Sequence, residues 1–173
     1  DAAPPLLPPA ALRPALELAL SARTLTEDYY SAMAGFSAVW RSYRFYPLYV
    51  GAGAEFAASK PDSDYPWTYY ASDGRRLKEP WLYKADAFAA FGLCSYLPPP
   101  RLLLFAELRL GGGVKFLYNN ELSDSRTSNL SSLFLADLLV GAQWRCLRFS
   151  AGGGYSSNLG LSAMASLGCV FSL

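Results

Sequence analysis

The sequence predicts an all-β fold, an eight-stranded antiparallel up-and-down transmembrane β-barrel, on three observations. Hydrophobic residues make up 52% of the 173 residues and charged residues only 17%, whereas an average soluble domain has about 25% charged residues. No uninterrupted apolar run reaches the roughly 18 residues that a transmembrane helix needs. Eight segments alternate apolar and polar residues with the period of a β-strand. A closed barrel would satisfy every backbone polar group in lipid.

The segment 101–116 illustrates the alternation. Its even positions are all apolar or glycine, whereas Arg101, Glu107, Arg109 and Lys115 fall on odd positions. One face of such a strand can meet lipid, where an arginine or lysine at mid-bilayer would cost roughly 2–4 kcal/mol. The same pattern, with no charge in the apolar row, predicts strands near 12–22, 31–41, 48–58, 84–97, 101–116, 133–145, 147–156 and 161–173.

The predicted connections differ in length between the two ends of the barrel. Turns are predicted at 42–46, 98–100 and 145–147, and loops at 24–30, 59–82, 118–131 and 156–160. Three of the four loops are longer than the turns, which is the asymmetry of a barrel with periplasmic turns and extracellular loops. Because the strand number is even, both ends of the chain should lie on the turn side.

The barrel is expected to occupy residues 12–173. Residues 1–11 are rich in proline, which favours an extended, mobile periplasmic segment, with insertion into the lumen as the alternative. The first residues lack a basic region followed by an apolar region, as expected of a mature chain after signal removal.

A soluble eight-stranded barrel of the lipocalin type also alternates apolar and polar positions. There the apolar row would face inward and the polar row would face water. The polar rows of this sequence are rich in glycine, alanine and serine, and their glycines include Gly51, Gly53, Gly111, Gly113, Gly152 and Gly154. Glycines make a poor solvent face but suit the concave interior of a tight barrel. This composition favours the membrane barrel.

The composition also argues against several functions. The chain has no histidine, which removes Ser-His hydrolysis and histidine-based metal sites. Its net charge of +1 gives no electrostatic support for binding nucleic acid. The GGG strings at 111–113 and 152–154 do not open a helix with Lys-Ser/Thr, so they are not phosphate loops. We therefore expect no enzyme activity, no cofactor, no metal and no nucleic-acid partner.

Three cysteines, Cys94, Cys146 and Cys169, show no metal-ligand spacing. One disulfide could form, but small hydrophobic side chains are the favoured interpretation. The sequence leaves their disulfide state open.

The last eight residues, SLGCVFSL, resemble the C-terminal assembly signal of bacterial outer-membrane barrels. A polar residue, a glycine and two hydrophobic residues recur in that signal, and Ser166, Gly168, Phe171 and Leu173 occupy their positions here. Leu173 departs from the usual terminal phenylalanine. With its eight strands, the chain resembles the small outer-membrane barrels, namely outer-membrane proteins W and X, the opacity-type adhesins and the OmpA transmembrane domain. The resemblance is one of architecture over 12–173, and it leaves the subfamily open.

This resemblance implies a location in the bacterial outer membrane, with extracellular loops and both termini in the periplasm. The implied partners are outer-membrane lipid and the barrel-assembly machinery, which would act through the C-terminal strand. We expect a monomer.

The inward-facing charges are expected at two depths. The predicted lumen charges are Glu17, Glu55, Asp86, Glu107, Arg109 and Asp137. The predicted periplasmic mouth consists of Arg13, Arg41, Arg101, Arg145 and Arg148. One interpretation is a closed, salt-bridged interior, because eight strands enclose just enough space for side chains. The others are a narrow, acid-lined channel with a weak cation preference and, by resemblance to the W-type barrels, a lateral or loop-level pocket for hydrophobic small molecules.

Aromatic residues are expected in two settings. The loop 60–84 combines aromatic residues with arginine, a composition of binding hot spots, so surface recognition or loop packing is expected of Trp67, Tyr69, Tyr70, Arg75 and Arg76. Near the predicted strand ends, an interfacial belt is expected of Trp40, Tyr43, Tyr46, Tyr49, Trp81, Tyr83 and Trp144.

The expected function is that of a small channel or uptake protein for ions or small, partly hydrophobic solutes. The alternative is a surface adhesin or structural barrel with a closed, salt-bridged lumen. Such a barrel would bind a host or surface ligand through its extracellular loops.

Overall fold

The structure, a computed structural model, describes residues 13–27, 29–63, 80–97, 102–118 and 130–173. In chain order the strands are β1 (Ala15–Glu27), β2 (Tyr30–Phe45), β3 (Leu48–Ser59), β4 (Trp81–Leu97), β5 (Leu102–Tyr118), β6 (Ser131–Trp144), β7 (Leu147–Ser156) and β8 (Gly160–Ser172). The described part of the chain contains no helix long and apolar enough to cross a membrane.

The eight strands form one closed antiparallel barrel, in which each strand pairs with its neighbours in sequence. The ladder between β1 and β8 runs from Ala15 opposite Ser172 to Arg23 opposite Met164. Closure leaves no strand edge with unpaired backbone groups. The predicted fold class and the predicted number of strands are therefore confirmed.

The two faces of the sheet follow the predicted alternation. The predicted apolar rows face outward, where large side chains such as Leu20, 68% exposed, and Leu138, 60% exposed, project away from the barrel. Among the described strands, the outward positions carry no acidic residue or lysine, and their one arginine, Arg44, lies beside the turn at 46–47. The polar rows face inward and are largely buried.

The two ends of the barrel carry different connections. The turn end, which holds the connections 46–47, 98–101 and 145–146, also carries Pro14 and Leu173, whose backbone groups share a hydrogen bond of 2.8 Å. The loop end carries the connections 28–29, 60–80, 119–130 and 157–159. Residues 1–12, the prolines at 98–100 and most of the two long loops lie outside the described residues.

The first predicted loop, 24–30, is wrong. β1 continues to Glu27, which pairs with Tyr30 across the connection 28–29, so two of the four loop-end connections are long rather than three. The backbone NH of Ala163 donates to Thr24 Oγ1 over 2.9 Å, within the stretch predicted as loop. The first strand thus begins and ends later than predicted, at Ala15 and Glu27 rather than near 12 and 22.

Some inward glycines lie where a neighbouring strand leaves no room for a side chain. A Cβ atom on Gly152 would overlap the carbonyl oxygen of Leu138, and one on Gly111 would overlap that of Ala87. The outward-facing Gly153 has more space, because the nearest atom to its Cβ would be the carbonyl oxygen of Ser162 at 3.2 Å. Glycine at the crowded positions lets the strands approach each other within a tight barrel.

We expect Gly152→Ala to lower the free energy of unfolding by about 1–3 kcal/mol, because the added methyl group must displace backbone. Gly153→Ala, one residue along the same strand, should change it by less than about 0.5 kcal/mol. Urea unfolding in lipid vesicles, followed by tryptophan fluorescence, measures both values. Equal stability of the two variants would contradict the crowding at Gly152.

Candidate functional site

The interior of the barrel is divided into apolar and charged levels. On β2, from the turn end, the inward residues include Tyr43, Arg41, Val39 and Met33. Apolar groups therefore lie near both ends and near the middle, with charge between them. The turn-end group consists of Ala15, Tyr43, Tyr49, Cys94, Leu103 and Phe105. The middle group consists of Val39, Phe88 and Leu135. The loop-end group consists of Leu25, Tyr30, Met33, Ala57, Leu82, Leu133 and Leu159.

The turn-side charge cluster consists of Glu17, Arg41, Glu107, Arg109 and Arg148. Glu107 is its centre. Arg41 donates to both carboxylate oxygens of Glu107, from Nε over 2.6 Å and from Nη2 over 3.0 Å. Arg109 Nε donates over 2.8 Å and Arg148 Nη2 over 3.3 Å to the same carboxylate. Arg41 also binds Glu17, so that three cations share two carboxylates.

Aromatic rings complete the surroundings of these arginines. The guanidinium of Arg148 lies 3.4 Å from the centroid of the Phe105 ring, and that of Arg109 lies 4.8 Å from the Phe88 ring. The hydroxyl of Tyr49 donates to Glu107 over 2.8 Å. Ring faces attract cations, so these aromatic rings stabilise the excess positive charge of the cluster.

The loop-side charge cluster consists of Arg23, Glu55, Lys84, Asp86 and Asp137. Arg23 donates two parallel hydrogen bonds to the carboxylate of Asp137, of 3.0 Å and 2.7 Å. This is the geometry of a strong bidentate pair. Lys84 Nζ donates to Glu55 Oε2 over 2.8 Å. It also lies 2.7 Å from Asp86 Oδ2, an ion pair without hydrogen-bond geometry. Two cations here face three carboxylates, the opposite excess to that of the turn-side cluster.

The charged side chains are shielded from water along the described interior. Glu107 is 1% exposed, Asp137 is 2% exposed and Lys84 is 0% exposed. A water-filled lumen would leave such inward charges accessible to solvent. In this structure side chains fill the cross-section at both clusters, as expected for a barrel of eight strands.

All six predicted lumen charges face the interior and are buried. Glu17, Glu107 and Arg109 belong to the turn-side cluster, and the other three belong to the loop-side cluster. Lys115 lies farther toward the loop end, where its Nζ donates to the carbonyl oxygen of Asn158 over 2.6 Å.

The predicted periplasmic mouth needs correction. Arg41 and Arg148 are buried in the turn-side cluster, because their long side chains reach Glu107 inside the barrel. Arg13 and Arg145 are exposed near the turn end. Arg101 lies outside the described residues.

The sequence analysis missed the inward positions of Arg23, Tyr43 and Tyr49. Arg23 lay beyond the predicted first strand, although its odd position continues the inward row of Glu17. Tyr43 and Tyr49 were expected in the interfacial belt but are buried inside the barrel. Their odd positions in strands whose even rows are apolar carried that signal. The tryptophans of the expected belt, Trp40, Trp81 and Trp144, do face outward and are exposed.

The remaining predicted site residues lie either near the end of the chain or in a loop outside the described residues. Ser166 faces inward, with its Oγ 2.7 Å from Ser150 Oγ, and Gly168 packs where a Cβ would meet Glu17. Phe171 and Leu173 are exposed on the outside. The predicted loop residues Trp67, Tyr69, Tyr70, Arg75 and Arg76 lie outside the described part of the chain.

A shallow depression lies on the outer face, where β1, β2 and β8 carry small side chains. Its volume is about 340 Å³, and Ala22, Thr24, Ala32, Ala163 and Ala165 contribute to its lining. It opens outward rather than into the lumen. The lateral pocket suggested by the resemblance to the W-type barrels stays a prediction.

The fold and its interior thus define a closed eight-stranded antiparallel barrel with an apolar outer face and paired internal charges. Two similar solved structures are of Ail, the attachment invasion locus protein of Yersinia pestis. The first is 16% identical, with a TM-score of 0.44, and the match covers 92% of this chain and 98% of that chain. The second, a complex with the heparin analogue sucrose octasulfate, is 18% identical, with the same TM-score and coverage. No protein-family model matches the sequence, and no curated protein matches it significantly.

We expect Glu107→Gln to lower the free energy of unfolding by about 3–5 kcal/mol, because it leaves three buried arginines with one carboxylate. Asp62→Asn is the matched control, since Asp62 accepts a hydrogen bond from Ser31 at an exposed site. Its effect should stay below about 1 kcal/mol. Urea unfolding in vesicles measures both variants, and a Glu107→Gln barrel as stable as the control would refute the central role of Glu107.

Proposed function

We propose that the protein spans the bacterial outer membrane as a closed barrel and that it acts by binding partners through loops at the loop end. One observation carries this proposal: the inward charges are buried and paired in two clusters between apolar groups. An interior of this kind offers a solute no aqueous path. The surfaces left for function are the loop end and the outer face.

The outer surface supports the membrane location. Large apolar side chains project from all eight strands, among them Leu20, Phe36, Phe134 and Leu138. An apolar belt around the whole molecule far exceeds the patches of a few hundred Å² found on soluble monomers. Trp81 near the loop end and Trp144 near the turn end suit the two membrane interfaces, where tryptophan is enriched.

The arrangement of the connections supports a binding role. The loops 60–80 and 119–130 join β3 to β4 and β5 to β6, and these two hairpins are neighbours because β4 pairs with β5. Both long loops therefore leave from one side of the loop end, whereas the connections 28–29 and 157–159 are short. The first loop contains Trp67, Arg75 and other residue types of binding hot spots.

The same proposal places the loop end outside the cell and the turn end in the periplasm. Short turns and both described chain ends lie together at the turn end, as in bacterial outer-membrane barrels. Phe171, on the strand that completes the barrel, and Leu173, just after it, are exposed and would be available to the barrel-assembly machinery before insertion.

A channel for ions or small solutes is the second candidate. The observation in its favour is the loop-side cluster, where carboxylates outnumber cations and Asp86 Oδ1 is buried without a hydrogen-bond partner among the described residues. Conduction would require both charge clusters to separate. Because separating the buried ion pairs would cost free energy, binding by a closed barrel is better supported than conduction.

We expect the wild-type protein to insert into planar bilayers without discrete conductance steps, because no ion can pass the buried clusters without breaking them. Single-channel recording beside the double variant Glu107→Gln/Asp137→Asn measures this. Resistance of the folded protein to SDS until it is heated confirms that both proteins are barrels. Discrete wild-type steps with a cation preference that falls in the double variant would establish the channel instead.

We expect replacement of residues 60–80 by a short Gly-Ser turn to abolish binding by cells that display the protein. The readout is retention of these cells on an array of glycans and extracellular proteins, relative to cells without the protein. Replacing only Ser157 and Asn158 by Gly-Ser, which keeps the buried Leu159, is the control and should leave retention intact. Undiminished retention without 60–80, in a barrel that stays SDS-resistant, would remove this loop from the binding surface.

A further inference from the structure

Two cysteines meet at the turn end of the barrel. Cys146 is the second residue of the turn 145–146, and Cys169 lies near the end of β8. Leu147, which follows Cys146, is directly opposite Cys169 in the β7–β8 ladder. The backbone NH of Val170 donates to the carbonyl oxygen of Cys146 over 2.7 Å. Both cysteines are free thiols in the structure.

We propose that Cys146 and Cys169 form an intramolecular disulfide in the folded barrel, by exchange with a disulfide compound in the aqueous phase at the turn end. The backbone hydrogen bond places Cys146, in the turn, beside Val170, the residue that follows Cys169 on β8. Directly opposite residues of an antiparallel ladder have Cα atoms about 4.5–5.5 Å apart, and Cys146 is one residue, about 3.3 Å along the chain, from the position opposite Cys169, so the two Cα atoms are expected about 6 Å apart. Disulfides span Cα separations of about 4.4–6.8 Å, so the strands need not move.

The exchange begins at Cys146, which is exposed to solvent, whereas Cys169 is only partly exposed. The Cys146 thiolate attacks one sulfur of the external disulfide, forms a mixed disulfide and expels the first external thiolate. The Cys169 thiolate then attacks the Cys146 sulfur and expels the second external thiolate. The two cysteines lose two protons and two electrons, and the external disulfide is reduced to two thiols.

The third cysteine serves as an internal reference. Cys94 is buried inside the barrel among Tyr43, Tyr49 and Phe105, whereas Cys146 and Cys169 lie at its turn-end rim. An aqueous reagent should therefore oxidise the rim pair and leave Cys94 a thiol. In the orientation proposed above the rim faces the periplasm, an oxidising compartment. The source of the oxidant in the cell rests on that proposed orientation, but the geometry of the pair does not.

The bond would tie the turn between β6 and β7 to the strand that completes the barrel. β8 pairs with β7 on one side and with β1 on the other, so its release opens the barrel. A covalent link across the β7–β8 ladder limits how far β8 can separate and restricts the unfolded chain. The oxidised barrel should keep its SDS-resistant form to a temperature several degrees higher than the reduced barrel.

The test uses the full chain, refolded in detergent and incubated with excess oxidised glutathione. The protein is then unfolded with maleimide present and analysed by mass spectrometry. The expected product has lost two hydrogen atoms, carries one maleimide, on Cys94, and yields a peptide that links Cys146 to Cys169. Prior reduction should give three maleimides.

Single variants separate the pair from its alternatives. Cys94→Ser should form the same linked peptide, whereas Cys146→Ser and Cys169→Ser should each take up two maleimides after removal of bound glutathione. Three maleimides on the oxidised wild-type protein, or a disulfide-linked dimer in place of the internal bond, would overturn the proposal.

An experiment on intact cells tests separately which compartment the turn end faces. Maleimide added to intact cells before lysis should find Cys146 and Cys169 already joined. If the purified protein forms the bond but both thiols are reactive in cells, the pairing of Cys146 with Cys169 is upheld, and the proposed periplasmic orientation of the turn end is wrong.

Discussion

The ladder between β1 and β8 sets the properties of the rest of this molecule. By pairing the first strand with the last it removes the edges of the sheet and fixes the circumference at eight strands. A barrel of this size encloses just enough space for side chains. The inward residues must therefore fill the interior together, and the outward residues must find an apolar environment because no second layer covers them.

The paired charges of the interior follow from this geometry. Hydrophobic side chains of similar volume could stabilise such a core as well as ion pairs do. The outer row is apolar already, however, and strands apolar on both faces would lose the alternation that sets their register. A slip of β5 by one residue would turn Glu107 and Arg109 outward and Leu108 inward. The buried charges thus oppose wrong pairings whose cost in lipid would be several kcal/mol.

The charge clusters also complement each other across the middle of the barrel. The turn-side cluster has one cation more than it has carboxylates, and the loop-side cluster has one carboxylate more than it has cations. Arg109 and Asp137, the members of each cluster that lie directly opposite in the β5–β6 ladder, bring the two excesses next to each other. Local imbalance is thereby offset over a short distance, and aromatic rings shield the arginines. A filled, rigid interior of this kind suits a scaffold that holds loops at one end.

Much of this architecture can be predicted from the sequence, because the period of a strand is local and a membrane would allow only one arrangement of its faces. Alternation alone predicted eight strands, their outward rows and the inward position of Glu17, Glu107 and Asp137. The same alternation, applied without exception, would also have placed Tyr43 and Tyr49 inside. In the proposed membrane setting a charge on the wrong face would be expensive, which would explain why the rule is so reliable here.

Which inward residues meet was decided only by the tertiary structure. Arg41 is 66 residues from Glu107 in the chain, and Arg23 is 114 residues from Asp137. Barrel closure, strand tilt and the reach of a flexible guanidinium determine such pairs, and a local sequence pattern predicts none of these factors. For this reason Arg41 and Arg148 lie in the buried network rather than at the mouth, and the rim brings Cys146 beside Cys169. Sequence determined which face each residue occupies, and three-dimensional closure decided its partner.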